Sequence, residues 1–235
     1  CIKFIYKVIF IVFIIMHKTI QNLLNIENKI QANLDNLNII NHPKIIAVSK
    51  TFKMDKILPL IKHGHVDYGE NKVQEAIEKW TEVKKDNPKI KLHMIGKLQT
   101  NKVKFAVKIF DYIHSVDSFK LAKKISLEQK KIDKNIKIFL QINIGKESQK
   151  SGIKIEETKK LFELCRNDLK LEVIGLMCIP PENENVEKYF SQMFKIKEEL
   201  GLKELSMGMS NDYLEAISSG SSFVRIGSKI FGKRN

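Results

Sequence analysis

A lysine at the end of a strongly apolar run is the residue whose position most clearly suggests chemistry. Lys50 follows the apolar residues 45–48, with Ser49 between them. Burial disfavours the charged ammonium form, so the pattern predicts a lowered lysine pKa and an amine able to form an imine with a carbonyl compound. The alternative is a strand-end lysine whose ammonium group reaches water. The spacing leaves both interpretations open.

An arginine lies inside another apolar run. Arg225 is one of only three arginines in the chain and lies within the run FVRI at 223–226. A charge in such a position is costly unless it has a partner. Two kinds of partner are compatible with the sequence: an ion pair with Glu70 or Asp212, or a bound ligand.

Serine and glycine residues follow the last two β-like runs. Ser210 comes after the seventh run, and Gly227 and Ser228 come after the apolar part of the eighth. Loops at these positions of a barrel, together with a helix N-terminus, commonly bind phosphate because unpaired N–H groups face the anion there. Ser210 also precedes a predicted helix, so a simple N-cap is the alternative.

The histidines and cysteines do not show the spacing of a metal site. His93 alternates with apolar residues on a predicted strand, which is typical of a core histidine. The three cysteines form no CxxC pair, no HxxxH pair is present, and the single HxH pair, His63 and His65, stands apart in the sequence from the other histidines and the cysteines. We therefore expect no metal site, no disulfide framework and a reducing, cytoplasmic compartment.

These residues lie at the ends of eight β-like runs that alternate with helical patterns. The runs are 44–51, 65–71, 91–98, 112–118, 136–145, 171–180, 204–210 and 223–232. The helical patterns between them are 57–63, 73–85, 101–109, 119–129, 156–167, 186–200 and 213–218, and apolar spacing over 20–37 predicts a further helix at the start. This alternation predicts an α/β fold, a single (β/α)8 TIM barrel with an extra N-terminal helix. A doubly wound open sheet is the alternative.

The first residues of the chain differ in character from the rest. The apolar run 8–16 follows two lysines, as in a secretory signal, but it is short for a membrane span and no small-residue cleavage site follows. We expect residues 1–15 to be upstream read-through or an apolar extension, with residues 16–235 forming the barrel. An inner-membrane anchor is the alternative.

The charge of the chain restricts its partners only broadly. Forty-one basic residues against 27 acidic ones give a net charge of +14. Such a charge suits nucleic acid, anionic lipid or a phosphorylated small molecule. Because arginine is scarce and no basic stripe carries interleaved aromatic residues, we expect neither a nucleic-acid partner nor a membrane partner.

The motifs, taken in order, resemble the pyridoxal phosphate homeostasis protein family, whose members have an alanine racemase N-terminal-like barrel. The matching stretches are AVSKT (47–51), YGENKVQE (68–75), HMIGKLQTNK (93–102), QINIGKESQKSGI (141–153), GLMCIPP (175–181), LSMGMSNDYLEAI (205–217) and VRIGSKIFG (224–232). Residues 1–15 have no counterpart in the family. The resemblance implies a non-catalytic protein that binds pyridoxal 5'-phosphate (PLP) and stores or delivers it.

The resemblance also implies a set of site residues. The expected cofactor-binding residues are Lys50, Asn71, Met207, Ser210, Arg225, Gly227 and Ser228. Lys50 would form the internal aldimine with the cofactor aldehyde, and Arg225 would face the pyridine nitrogen. The two serines and Gly227 would hold the phosphate, and Asn71 would lie near the phenolic oxygen. Met207, together with Met209, would pack against the ring.

The same resemblance bears on catalysis and partners. An arginine keeps its proton, so the ring nitrogen beside Arg225 would stay unprotonated and the cofactor would be a weak electron sink. Related racemases take a second base from a C-terminal domain, and we expect no such domain here. We expect no catalytic residues, a monomer, and PLP-dependent apo-enzymes as recipients. The alternatives are a racemase whose base is His93, Tyr68 or a second subunit, and an imine-forming aldolase acting on a sugar phosphate.

Overall fold

The protein folds as a closed barrel of parallel strands surrounded by helices. The computed structural model describes residues 16–182 and 184–233. The strands are β1 (Lys44–Val48), β2 (Asp67–Glu70), β3 (Lys91–Met94), β4 (Tyr112–Val116), β5 (Lys137–Ile142), β6 (Glu172–Cys178), β7 (Glu204–Ser206) and β8 (Phe223–Ile226). Each strand pairs with its neighbours in the chain, and β8 pairs with β1 to close the barrel. The predicted (β/α)8 TIM barrel is confirmed.

The helices cover the outside of the barrel. They are α1 (Lys18–Leu37), α2 (Met54–His63), α3 (Val73–Asp86), α4 (Val103–Ile109), α5 (Phe119–Lys130), α6 (Thr158–Glu163), α7 (Glu187–Glu199), α8 (Tyr213–Ser218) and α9 (Ser228–Phe231). The expected extra N-terminal helix is α1, which buries Leu23, Ile26, Ile30 and Leu34 at helical spacing. It packs against α2, α8 and α9, beside the pair of strands that closes the barrel.

All eight predicted strands are present, and each ends earlier than predicted. The first ends at Val48 instead of residue 51, and the last ends at Ile226 instead of residue 232. The polar and glycine residues beyond these ends belong to loops at one rim of the barrel. Residues 228–231, which the sequence assigned to the last strand, form the short helix α9.

Alternating side chains divide the apolar residues into an inner and an outer layer. The inner layer contains Ile46, Tyr112, Phe139, Met177 and Phe223. The outer layer, between the strands and the helices, includes Ile45, Ala47, Val224 and Ile226. Because side chains alternate along a strand, Arg225 lies on the same side of β8 as Phe223 and points into the barrel.

Several expectations from the sequence concern the whole chain. The expectations for residues 1–15 lie outside the described residues. In the described part of the chain, no helix combines enough length with enough apolar residues to cross a bilayer. Cys165 and Cys178 are free and buried, and burial raises the pKa of each thiol to about 12.

Candidate functional site

A cavity of about 690 Å³ lies at the carboxyl ends of the strands. Six of the seven residues proposed from the sequence line it: Lys50, Asn71, Ser210, Arg225, Gly227 and Ser228. The apolar part of its wall includes Val48, Ile95, Ile179 and Met209. This volume falls within the range of about 300–1,000 Å³ that small-molecule sites occupy. The strand ends thus bring residues from distant parts of the sequence to one small-molecule-sized space.

Met207 is the exception, because the structure does not place it in the cavity wall. Its side chain is fully buried in the outer layer, together with Leu205. Strand alternation explains the difference: Ser206 faces the barrel interior, so the residues on either side of it face the helices. Met209, two residues further on, lines the cavity instead.

The residues on both sides of Lys50 are held by hydrogen bonds to carboxylates. The Ser49 hydroxyl donates to Glu70 Oε1 at 2.7 Å, and the Thr51 N–H donates to Glu75 Oε1 at 2.6 Å. Thr51 has a φ of +66°, a left-handed conformation that is unusual for a β-branched residue. Lys50 itself is half-buried. Its side chain therefore extends from a segment that is held at both neighbouring residues.

Lys79, whose side chain is 10% exposed, connects these two carboxylates. Lys79 Nζ contacts Glu70 Oε1 and Glu75 Oε1, each at 2.9 Å, and donates to the Ser49 carbonyl at 2.9 Å. Trp80 Nε1 also donates to Glu70 Oε1, at 3.0 Å. Pairing and hydrogen bonding of this kind offset the cost of burying charge. The network anchors the loop after β1 to helix α3.

Arg225 is held by backbone and hydroxyl oxygens. Its NH1 donates to the Ser206 carbonyl at 2.6 Å and to Ser206 Oγ at 2.7 Å, and its NH2 donates to the Cys178 carbonyl at 2.8 Å. Burial lowers the pKa of its guanidinium from the usual value. In the described structure neither Glu70 nor Asp212 forms an ion pair with Arg225, so the ion-pair interpretation of the sequence is wrong.

Two serines from different loops meet at the cavity. Ser228 Oγ and Ser210 Oγ lie 3.1 Å apart and share a hydrogen bond. The N-cap of α8 is Asp212, so the interpretation of Ser210 as a simple N-cap is wrong. Gly208 permits the turn before Ser210, because it has a φ of +89° and a Cβ there would lie 2.5 Å from the Cβ of Ala216.

Asn71 is kept at the cavity wall by close packing of the next loop. A Cβ on Gly96 would lie 2.5 Å from the Asn71 carbonyl oxygen and 2.8 Å from its Cα. Both atoms are backbone, so neither can move aside as a flexible side chain would. The glycine of the HMIGK stretch therefore allows the loop after β3 to pack directly against Asn71.

A line of buried hydrogen bonds runs through the barrel interior to Arg225. Asp67 Oδ1 lies 2.9 Å from His93 Nε2, His93 Nδ1 lies 3.0 Å from His114 Nε2, and His114 Nδ1 lies 2.9 Å from Ser206 Oγ. Both imidazoles are fully buried, and burial lowers the pKa of each. The sequence indicated a core position for His93 but gave no sign that His114 and Ser206 continue the line.

Three histidines with lowered pKa values predict a loss of stability in mild acid. Burial lowers the pKa of His65, His93 and His114, so the unfolded chain binds more protons than the folded protein as the pH falls below about 6.5. The free energy of unfolding should be highest above that pH. It should fall below it with a slope of up to about 4 kcal/mol per pH unit while all three histidines contribute.

Urea denaturation at a series of pH values between 4.5 and 8, chosen at about half-unit steps, measures this slope. The variant His114→Gln should show a smaller slope than the wild type, because one buried imidazole is removed. The matched control is His63→Gln, since His63 is an exposed histidine at the end of α2. A slope of zero between pH 6.5 and 5 would contradict the account.

Sequence and structure comparisons place this barrel among known proteins. A family model for the alanine racemase N-terminal domain matches residues 27–235. The chain is therefore a barrel of the alanine racemase N-terminal class. Alanine racemase from Clostridium difficile has the same fold, with a TM-score of 0.67 at 16% identity, over 87% of this chain and 55% of that chain.

More similar relatives define the family within this class. The pyridoxal phosphate homeostasis protein of Aquifex aeolicus is 38% identical over 206 residues, which is 83% of this chain and 88% of that protein. PipY of Synechococcus elongatus, solved with PLP bound, is 33% identical with a TM-score of 0.75, over 86% of this chain and all of that chain. The chain belongs to the pyridoxal phosphate homeostasis protein family.

Proposed function

We propose that the protein binds PLP in this cavity and that it stores and delivers the cofactor without catalysing a reaction. The observation that carries the proposal is that the Lys50 side chain and the Ser210–Ser228 hydroxyl pair line one cavity. PLP supplies an aldehyde, which condenses with a primary amine with loss of water. The relatives named as PLP homeostasis proteins, and PipY with PLP bound, support the assignment.

The residues of the cavity fit the separate parts of PLP. We assign Lys50 to the aldehyde and Asn71 to the phenolic oxygen. The hydroxyls of Ser210 and Ser228 and the backbone of Gly227 donate to the phosphate. Apolar side chains in the cavity wall, among them Ile95 and Ile179, suit the faces of a flat ring. Met207 has no place in this set, because it packs on the helix side of β7.

We assign Arg225 to the ring nitrogen. The guanidinium is held by Ser206 and Cys178 and also lines the cavity. Because an arginine can only donate, it keeps the nitrogen it faces unprotonated. Electron withdrawal by a protonated pyridine ring is then lost, which favours binding over catalysis at the substrate carbon.

The positions of the candidate bases also support a non-catalytic role. His93 lies in the barrel interior, where it is bonded to Asp67 and His114. Tyr68 lies in the outer layer, where its hydroxyl donates to the His65 carbonyl at 3.2 Å. Neither side chain lines the cavity, so neither is placed to remove a proton from a bound amino acid.

Hydrogen exchange tests the absence of racemase chemistry. Incubation of the PLP-loaded protein with L-alanine in deuterated water should exchange the α-hydrogen no faster than an equal concentration of free PLP. Mass spectrometry of the recovered alanine measures the exchange. Sustained exchange well above the free-PLP rate, with loss of optical purity, would favour the racemase.

Comparison of PLP with pyridoxal tests the phosphate assignment. Both ligands carry the aldehyde, and only PLP carries the phosphate. We expect pyridoxal to bind at least about 100-fold more weakly, since hydrogen bonds to a charged group contribute about 1.5–3 kcal/mol each. Titration of the apo-protein, followed by absorbance, measures both dissociation constants. Equal affinities would contradict a phosphate site at Ser210 and Ser228.

We propose that PLP-dependent apo-enzymes receive the cofactor and that the protein acts as a monomer in the cytoplasm. The two free, buried thiols of Cys165 and Cys178 support a reducing compartment. Light scattering of the purified protein measures the oligomeric state, and activation of an apo-enzyme by the PLP-loaded protein measures delivery.

A further inference from the structure

We propose that the interior line His93–His114–Ser206 connects the Asp67 carboxylate to Arg225, although the two do not touch. In this proposal the four residues position the Arg225 guanidinium at the cavity. The connection itself is a property of the protein without ligand. Its effect on PLP binding rests on the function proposed above.

Hydrogen-bond chemistry gives the line a single direction. The Asp67 carboxylate can only accept, so His93 Nε2 donates to it, and the Nδ1 of the neutral ring must then accept. His114 Nε2 therefore donates to His93, and His114 Nδ1 accepts from the Ser206 hydroxyl. Arg225 NH1, which can only donate, closes the line at Ser206 Oγ, 2.7 Å away. Every donor in the line points from Arg225 toward Asp67.

The charges at the two ends suit this direction. Arg225 is a buried cation whose own contacts are two carbonyls and a hydroxyl. At the other end, the hydrogen bond from His93 holds the pKa of Asp67 below its usual value, although burial acts in the opposite sense. The dipoles of the intervening bonds are aligned between a cation and an anion, which strengthens each bond in a low-dielectric interior.

Aromatic packing fixes the two imidazoles in this arrangement. The His93 ring stacks on Tyr112 with 4.3 Å between centroids and 10° between planes, and the His114 ring stacks on Phe139 at 4.2 Å and 16°. The Phe223 ring makes a T-shaped contact with the His114 ring, with 6.0 Å between the centroids and 73° between the planes. With their ring planes held, the imidazoles keep the hydrogen-bond partners described above.

Nitrogen NMR of the apo-protein tests the direction of the line without any ligand. With ¹⁵N-labelled histidine, His93 and His114 should both be neutral with the proton on Nε2, and both N–H signals should be downfield and protected from exchange. Ser206→Ala should shift the His114 Nδ1 signal, because its donor is removed. A proton on Nδ1 of either ring, or a charged ring at pH 7, would overturn the proposal.

Charge removal at the remote end tests the connection to the cavity. Asp67→Asn keeps the size of the side chain but removes its charge, and we expect PLP to bind about tenfold more weakly. The matched control is Asp111→Asn, since Asp111 is a half-buried carboxylate at the same end of the barrel that pairs with Lys84 and lies outside the line. This control should change PLP affinity by less than about twofold.

The two measurements separate failure of this inference from failure of the proposed function. If the wild type does not bind PLP, the proposed function fails, and the NMR result still decides whether the line exists. If the wild type binds PLP but Asp67→Asn and Asp111→Asn have the same affinity, the positioning role of Asp67 is wrong. Equal unfolding free energies of the two variants, measured in urea, exclude general destabilisation as the cause of a difference.

Discussion

Replacement of Lys50 with alanine should abolish covalent attachment of PLP and weaken its binding by at least about 100-fold, which corresponds to about 2.7 kcal/mol. The reason is chemical, because alanine has no amine to condense with the aldehyde. The contacts that we assign to Ser210, Ser228 and Arg225 would then bind the phosphate and the ring only noncovalently. Absorbance titration of the apo-variant measures both effects, since the lysine-bound cofactor and free PLP absorb at different wavelengths.

The matched control for this variant is Lys53→Ala. Lys53 lies three residues further along the chain, is exposed, and makes no side-chain cap for α2. The control should bind PLP like the wild type. A Lys50→Ala protein that keeps both the spectral change and the affinity of the wild type would remove Lys50 from the centre of the account.

Replacement of Arg225 with methionine should lower the free energy of unfolding by about 3–5 kcal/mol and remove PLP binding. Methionine fills much of the same volume but donates no hydrogen bond. The Ser206 carbonyl, its hydroxyl and the Cys178 carbonyl would then lose the donor that holds them. Urea denaturation measures the first effect and PLP titration the second.

Two further arginine variants make this prediction specific. Arg225→Lys should retain part of the stability, because an ammonium group can reach fewer of the three oxygens than the guanidinium does. Arg166→Met is the control, since Arg166 is exposed and lies 5.9 Å from the Phe162 ring. Equal stability of Arg225→Met and the control would show that the buried guanidinium does not stabilise the barrel.

The fold could be predicted from the sequence because strand-like and helix-like segments alternate regularly along the chain. Eight apolar runs alternate with helical patterns, and the regular spacing leaves few architectures. Strand ends were less predictable, since the last polar residues of each run are compatible with both a strand and a loop. The run 223–232 shows the limit, because Ser228–Phe231 have strand-like composition and form a helix once β8 ends.

The site could be predicted in part, for a different physical reason. Lys50, Ser210 and Arg225 lie near strand ends that a barrel brings to one rim, so their meeting follows from topology. The position of the Met207 side chain could not be predicted, because it depends on where β7 ends and on which side each residue then faces. The hydrogen-bond partners of Arg225 could not be predicted either, because Ser206 and Cys178 contribute backbone carbonyls, which no sequence motif marks.

The interior line of hydrogen bonds also could not be predicted from the sequence. His93 and His114 are 21 residues apart, and Ser206 is 92 residues beyond His114. They meet because each points inward from its own strand in the closed barrel. Barrel closure and strand register together decide this contact, and neither could be predicted from the composition of single runs.

Reduction of the complex between the wild-type protein and PLP with borohydride, followed by digestion and mass spectrometry, tests the central claim most directly. The account predicts one pyridoxyl group per chain, located on the peptide that contains Lys50. A pyridoxyl group on another lysine while Lys50 stays unmodified, or one scattered over many surface lysines, would contradict it.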